Sequence, residues 1–393
     1  MTSTDNTTPG LLYSELDDDL RATVRAAVTR AGGVTETIAR IDTEESVDVA
    51  LWRTLAESVG VAALPVPEDD GGAGASWRET AVVLEELGRS VTPVPMLGSA
   101  VVALRYAQVV GDGDLTARIA SGETIAALAV PADTAWFSDP PEVDVVDGTL
   151  TGAVRNVVDA AAAETLIVPR GDDTYVVDVA APGVTVSRVV SLDETRPVVD
   201  VEFRGAAGRL VSGAARRARE ESLLAGTALL ASEQLGLAEH CLADTVDYLG
   251  ERRQFGRVLG SYQALKHRLA DLWVQINQAR AAARYAADAV ATGSPDVAVA
   301  ASTAHAWCSD VAVRAAQEYV QMHGGIGFTW EHPAHLYLKR AKASLLQFGG
   351  PDVHREVLAD LVGLPRPTPV QTTAVRTTAG RTTTVRTTTG ETR

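Results

Sequence analysis

The chain has 393 residues, 46% of them hydrophobic, and 35 Lys+Arg against 51 Asp+Glu leave a net charge of -16. That acid excess argues against a nucleic-acid binder, which needs clustered Lys and Arg, and the apolar content argues against a disordered chain. No run approaches the roughly 20 apolar residues of a membrane span, so no membrane partner is expected.

The opening MTSTDNTTPG has neither a basic flank nor an apolar stretch, so no export signal is expected. From Tyr13 to about Leu104 apolar residues recur at threes and fours, the helical period, with a break at PVPEDDGGAGAS. From Thr124 to about Arg209 the texture changes to short runs such as TIAALAV, TYVVDVA and VVDVEF, bounded by turn formers. These predict β-strands of a small barrel or sandwich. From Ser212 to about Leu364 alanine and leucine dominate and long helical periods return, the pattern of a helix bundle. The expected units are a helical domain at 1–121, a β-barrel at 122–211, a four-helix bundle at 212–364 and a disordered Thr/Arg-rich tail at 365–393. The fold class is α+β, multidomain. The two cysteines, Cys241 and Cys308, lie in helical segments and read as reduced core residues of a cytoplasmic protein.

Two stretches could carry chemistry. In DYLGERRQFGRVLGSYQALKHRLADL, Arg252 and Phe255 fall on one face if the segment is helical, and an arginine beside an aromatic can bind an anion and stack on a flat ring. A surface basic patch with a core phenylalanine reads the same residues as well. In YVQMHGGIGFTWEHPAHLYLKRAKA a helix runs through Gln321 and stops at Gly324 and Gly325. The freed backbone N–H groups can cradle a phosphate, or simply cap the helix. His332 and His335 have near-ligand spacing, but Pro333 between them and the lack of a carboxylate repeat argue against a metal.

RRQFGRVLGSYQALKHRLADL followed by QMHGGIGFTWEHPAHLYLKRAKA resembles the acyl-CoA dehydrogenase family, and PEDDGGAGASWRETAVVLEELGRS resembles that family's N-terminal segment. The resemblance spans about residues 13 to 364. It implies N-terminal helices, a middle β-barrel and a C-terminal four-helix bundle. It also implies FAD shared between subunits of an oligomer, and a cofactor-binding set of Arg252, Gln254, Phe255, Gln263, Gln321, Gly324 and Gly325. The implied activity is α,β-dehydrogenation of an acyl thioester such as an acyl-CoA, with a flavoprotein as possible electron acceptor.

The catalytic glutamate of that family has two usual positions. Counted without a gap, they fall here on Phe348, in LLQFGGPDVHRE, and on Gly226. Neither side chain can take a proton. Asp352, Glu220 and Glu221 are the nearby carboxylates that could substitute. The flavin-facing positions of the middle domain also depart from the family, with Thr134, Trp136, Arg155 and Asn156 in their place. The chain therefore reads as an acyl-CoA dehydrogenase-like component in one of two versions. It pairs with a related chain that supplies the glutamate, as in heteromeric dehydrogenases of actinobacteria that degrade steroid side chains, or it works alone as a self-sufficient homo-oligomer with an unusual base. The alternatives are a flavoprotein oxidase or monooxygenase on the same fold, and a non-catalytic structural subunit.

Overall fold

The computed structural model describes residues 10–43 and 45–365; the Thr/Arg-rich tail expected at 365–393 lies, but for its first residue, outside the described residues. Helices come first: α1 (Glu15–Arg30), α2 (Gly33–Ile41), α3 (Val49–Arg53) with a π-helical continuation over Thr54–Val59, and α4 (Trp77–Arg89). A further π-helical turn, Met96–Ala103, leads into α5 (Leu104–Val110) and α6 (Gly113–Ala120). Local sequence sets the starts of α1 and α4. Ser14 with Asp17 and Ser76 with Glu79 form capping boxes that satisfy the first free N–H groups.

The central region holds β1 (Ala126–Leu128), β2 (Asp144–Val146), β3 (Thr149–Val158), β4 (Thr165–Arg170), β5 (Asp173–Asp178), β6 (Val184–Arg188), β7 (Val198–Ala206) and β8 (Arg209–Ser212). They form two four-stranded sheets, β1-β4-β5-β8 and β2-β3-β7-β6. A bridge between Pro131 and Val157 joins the two. The β3–β7 register shifts between Val154 and Val157, and Arg155 and Asn156 fill that bulge with Asn156 at φ 55°. Arg155 Nη1 and the Asn156 backbone N–H both donate to Asp200, at 2.6 and 3.0 Å.

The C-terminal region is helical. It comprises α7 (Ala215–Glu251), a short hairpin of β9 (Arg253–Gln254) and β10 (Arg257–Val258), then α8 (Gln263–Thr292), α9 (Val297–His323), α10 (Ala334–Leu346) and α11 (Pro351–Leu361). Helix α7 is the axis, with residues buried on every side through its middle. It crosses α4 at a pair of glycines. A Cβ built on Gly88 would lie 2.0 Å from the Glu233 carbonyl oxygen, and one on Gly236 would lie 1.8 Å from that of Glu85. Only glycine permits this approach, and it brings Glu233 under the β region. The Glu85 and Glu86 carboxylates, buried beside the crossing, pair with Arg21 and Arg25 of α1. No helix among the described residues is long and apolar enough to cross a membrane.

Candidate functional site

The site begins at the turn between α10 and α11. Gln347 leaves the helix in extended conformation, then Phe348 and Gly349 take φ 61° and 95°. The Phe348 backbone N–H donates to the Ala132 carbonyl at 2.8 Å, which ties the bundle to the β region. The ring points at α7. A Cβ built on Gly226 would meet Phe348 Cζ at 3.0 Å and Val102 Cγ2 at 2.9 Å. The two positions singled out for a base thus converge on one point, and a hydrocarbon ring fills it. What remains between Phe348, Val102, Leu128, Val130 and Leu223 is a cavity of about 20 Å³, room for one water molecule.

Two buried histidines hold this turn. His305 Nε2 bonds to the Gly349 carbonyl at 2.9 Å, and His354 Nε2 to the Phe348 carbonyl at 3.0 Å. A carbonyl can only accept, so both rings carry their proton on Nε2. Burial, helped by His354, pushes His305 down to about 3, and burial lowers His354 as well. Both rings are therefore neutral when folded, whereas an unfolded histidine gains a proton below about pH 6.5. This contribution to stability is complete above that pH and is lost as pH falls toward the folded value. The unfolding free energy from urea titration is expected to drop between about pH 7 and 5, by up to roughly 1.4 kcal/mol per pH unit for each such histidine. His305→Gln keeps a donor toward Gly349 and cannot titrate, so its profile should be flatter. Identical slopes for the two proteins would refute the assignment.

The neighbouring carboxylates are engaged elsewhere. Glu221 is bonded by Arg105 and by Arg217, each at 2.6 Å. Glu220 is exposed, and Asp352, also exposed, lies 3.1 Å from Arg355. Sequence reasoning missed Glu233, which is buried on α7 and paired with Arg196 and Arg340. It also missed Asp159, buried with the Gly98 N–H at 2.8 Å. Burial raises the Asp159 carboxyl, against the pull of Arg196 and of that N–H. Two donors near the turn are orphaned: Trp136 Nε1 and Gln347 Nε2 are buried without a partner. Thr134, two residues before Trp136, is buried as well.

The second constellation lies on the surface. Arg252 caps α7 with extended backbone, and Phe255 and Gly256 form the hairpin turn at φ 53° and 79°. The shared helical face expected for Arg252 and Phe255 is therefore replaced by a two-residue turn of type I′ sign, in which both central residues need positive φ. Phe255 is 89% exposed. Gln254, Gln263, Gln321, Gly324 and Gly325 are exposed as well, with Gln263 opening α8 and Gly324 following the end of α9. Nothing lies within 4 Å of a Cβ built on Gly324 or Gly325, so the turn has room for a group to approach its backbone. The two motifs meet through Tyr248, whose ring stacks on His323 at 4.2 Å.

Comparison with known proteins decides the family. Residues 14–116 match the acyl-CoA dehydrogenase N-terminal domain and residues 191–363 the acyl-CoA dehydrogenase C-terminal domain. The acyl-CoA dehydrogenase IpdE2 of Mycobacterium tuberculosis is 37% identical over 345 residues, 87% of this chain and 95% of that protein. This chain belongs to the acyl-CoA dehydrogenase family. A second acyl-CoA dehydrogenase IpdE2, from Mycolicibacterium smegmatis, is 36% identical over 86% of this chain and 96% of its own length. Among solved structures, the ChsE4-ChsE5 complex from Mycobacterium tuberculosis superposes with TM-score 0.80 at 27% identity, covering 91% of this chain and 100% of the matched one. The Tcur3481-Tcur3483 steroid ACAD gives TM-score 0.78 at 29% identity, with 89% and 98% covered. This acyl-CoA dehydrogenase therefore carries the family's helical ends and central sheets.

Proposed function

We propose that this chain is the base-lacking subunit of a heteromeric acyl-CoA dehydrogenase that catalyses α,β-dehydrogenation of an acyl thioester. The observation that carries the reading is the Phe348 ring packed against Gly226. A phenyl ring accepts no proton, and an acyl chain has no room in a cavity of about 20 Å³. The chain's own reacting position is closed, while its outward-facing motif stays open.

The exposed set then serves a partner. Arg252 brings positive charge to an anionic dinucleotide, and the exposed Phe255 ring offers a flat face. Gln254, Gln263 and Gln321 supply amide donors and acceptors, and the Gly324–Gly325 backbone is open to close approach. These residues fit FAD, which when bound supplies the hydride acceptor. Ile326, Phe328 and Trp330 are 50%, 74% and 69% exposed next to that turn, an apolar surface suited to burial in a subunit interface. The ChsE4-ChsE5 complex, one of the similar structures, joins two different chains. The subunit would sit in an assembly that passes electrons to a separate flavoprotein carrier, without nucleic acid or membrane.

The test is the visible spectrum of the chain purified alone with excess FAD, and again after co-expression with a related dehydrogenase chain that has the glutamate. The chain alone is expected to stay colourless. The pair is expected to be yellow, to hold one FAD per two chains, and to bleach with an acyl-CoA. Stable flavin at one per chain in the isolated protein would overturn the proposal in favour of a self-sufficient homo-oligomer.

A further inference from the structure

Beneath the Gly324–Gly325 turn, three side chains with ligand atoms converge from three parts of the chain. Asp244 comes from α7, His323 ends α9, and His332 lies in the segment before α10. Their ligand atoms all lie within 4.8 Å of one another.

The hydrogen on His323 decides what the space between them can hold. Its Nδ1 lies 2.8 Å from the Tyr319 carbonyl oxygen, which can only accept, so Nδ1 carries a proton. In the neutral ring, Nε2 then presents a lone pair, and it faces Asp244 Oδ2 at 3.5 Å. A lone pair aimed at a carboxylate is repulsive unless a proton or a metal ion stands between them. His323 cannot swing away: it is 4% exposed, and Tyr248 stacks on it. His332 closes the third side, its ring centroid 4.6 Å from that of His323. A long 3.3 Å bond from the Ala334 N–H to Nδ1 is weak restraint on this ring, so it can turn at little cost.

We propose that Asp244, His323 and His332 bind a divalent transition-metal ion of the zinc type, with water in the remaining position. Two imidazoles and one carboxylate suit zinc better than the all-oxygen sets of calcium or magnesium. A backbone carbonyl on the far nitrogen of a ligating histidine, here that of Tyr319, is the usual outer support that orients the ring. Asp244 and His332 are half-buried, which gives the ion a route from solvent. The bound ion would tie α7, α9 and the start of α10 together under the glycine turn. The sequence reading set His332 beside His335, but His335 Nε2 faces the Trp330 carbonyl at 3.2 Å. The ligands of the proposed site come from separate elements that only the fold brings together.

The full chain, stripped by chelation and titrated with Co²⁺ and then Zn²⁺, tests this without any flavin or partner. One ion per chain is expected, with the intense visible absorption of four-coordinate cobalt, its displacement by zinc, and an unfolding temperature that rises with zinc concentration. Asp244→Asn and His332→Gln are expected to weaken binding by at least about 10-fold. At its half-exposed position, His332→Gln should leave the unfolding temperature of the metal-free protein unchanged. Failure to take up one ion per chain, or equal uptake by the wild type and both variants, would overturn the site.

Discussion

Replacing Arg340 with alanine is expected to cost about 3–5 kcal/mol, the penalty for removing one partner from a buried ionic cluster. Arg340 is 1% exposed. Its Nε donates to Asp193 Oδ2 at 2.6 Å, Nη1 to Glu233 Oε1 at 3.2 Å, and Nη2 to the Thr195 carbonyl and hydroxyl at 2.9 and 2.7 Å. Arg196 bonds Glu233 from the other side and reaches Gln347 Oε1 at 3.4 Å. The cluster therefore clamps the loop between β6 and β7 onto α7 and α10, directly behind the turn that carries Phe348. Alanine leaves Asp193 buried without its cation. A folded domain has only about 5–15 kcal/mol in hand, so the variant should be barely folded.

The double change Arg340→Met with Asp193→Asn removes charge from both sides and should recover part of the loss. Urea unfolding of the three proteins measures this. A single-variant loss under about 1 kcal/mol would mean that water reaches the cluster and screens it. The same cluster sets an acid limit. Burial alone would raise the Glu233 carboxyl, but Arg196 and Arg340 outweigh it and hold it below the ordinary glutamate range. Its contribution is present above that range and is lost as pH falls through the lowered value.

The residues of this cluster show what the sequence could not reveal. Asp193, Arg196, Glu233 and Arg340 each look like a surface charge in their own segment, and only the crossing of α7 with the β region makes them neighbours. Helical periodicity, by contrast, was enough for α1, α4 and the C-terminal helices, and short runs with turn formers were enough for β4, β5 and β7. Local pattern misled at Arg252–Phe255. Polar residues at helical spacing after a helix of 37 residues read as more helix. A phenylalanine at positive φ has no sequence signature, because bulky residues rarely go there and do so under tertiary constraint. Phe348 is a second case of the same kind. The resemblance assigned Phe348 and Gly226 each to a usual base position, whereas their packing against each other and the histidine pair that holds the turn come from the fold. His305 and His354 come from different helices and meet the turn through backbone carbonyls, which no side-chain motif encodes.

Phe348→Ala is expected to lower stability by about 3–5 kcal/mol while leaving the turnover of a correctly assembled heteromer within about two-fold per folded complex. The ring is 5% exposed and packs on Val102 and Gly226, so truncation opens a cavity that the surrounding helices cannot fill. Backbone and packing can be separated with Phe348→Gly. Glycine removes the same ring but relieves the positive φ, so it should be less damaging than alanine by about 1 kcal/mol. If this chain's reacting position were in use, deleting a ring at its centre would change the maximal rate as well as the stability. Under the proposed heteromer, removing the glutamate from the partner chain should instead cost roughly 10²–10⁴-fold in rate and little stability. Denaturant midpoints and single-turnover flavin bleaching on the same preparations give both numbers. A Phe348 variant whose rate moves with its stability corrected for would place chemistry on this chain. A rate that stays constant while the midpoint falls is the behaviour of a residue that fills a retired site, and it would assign turnover to the partner's half of the assembly.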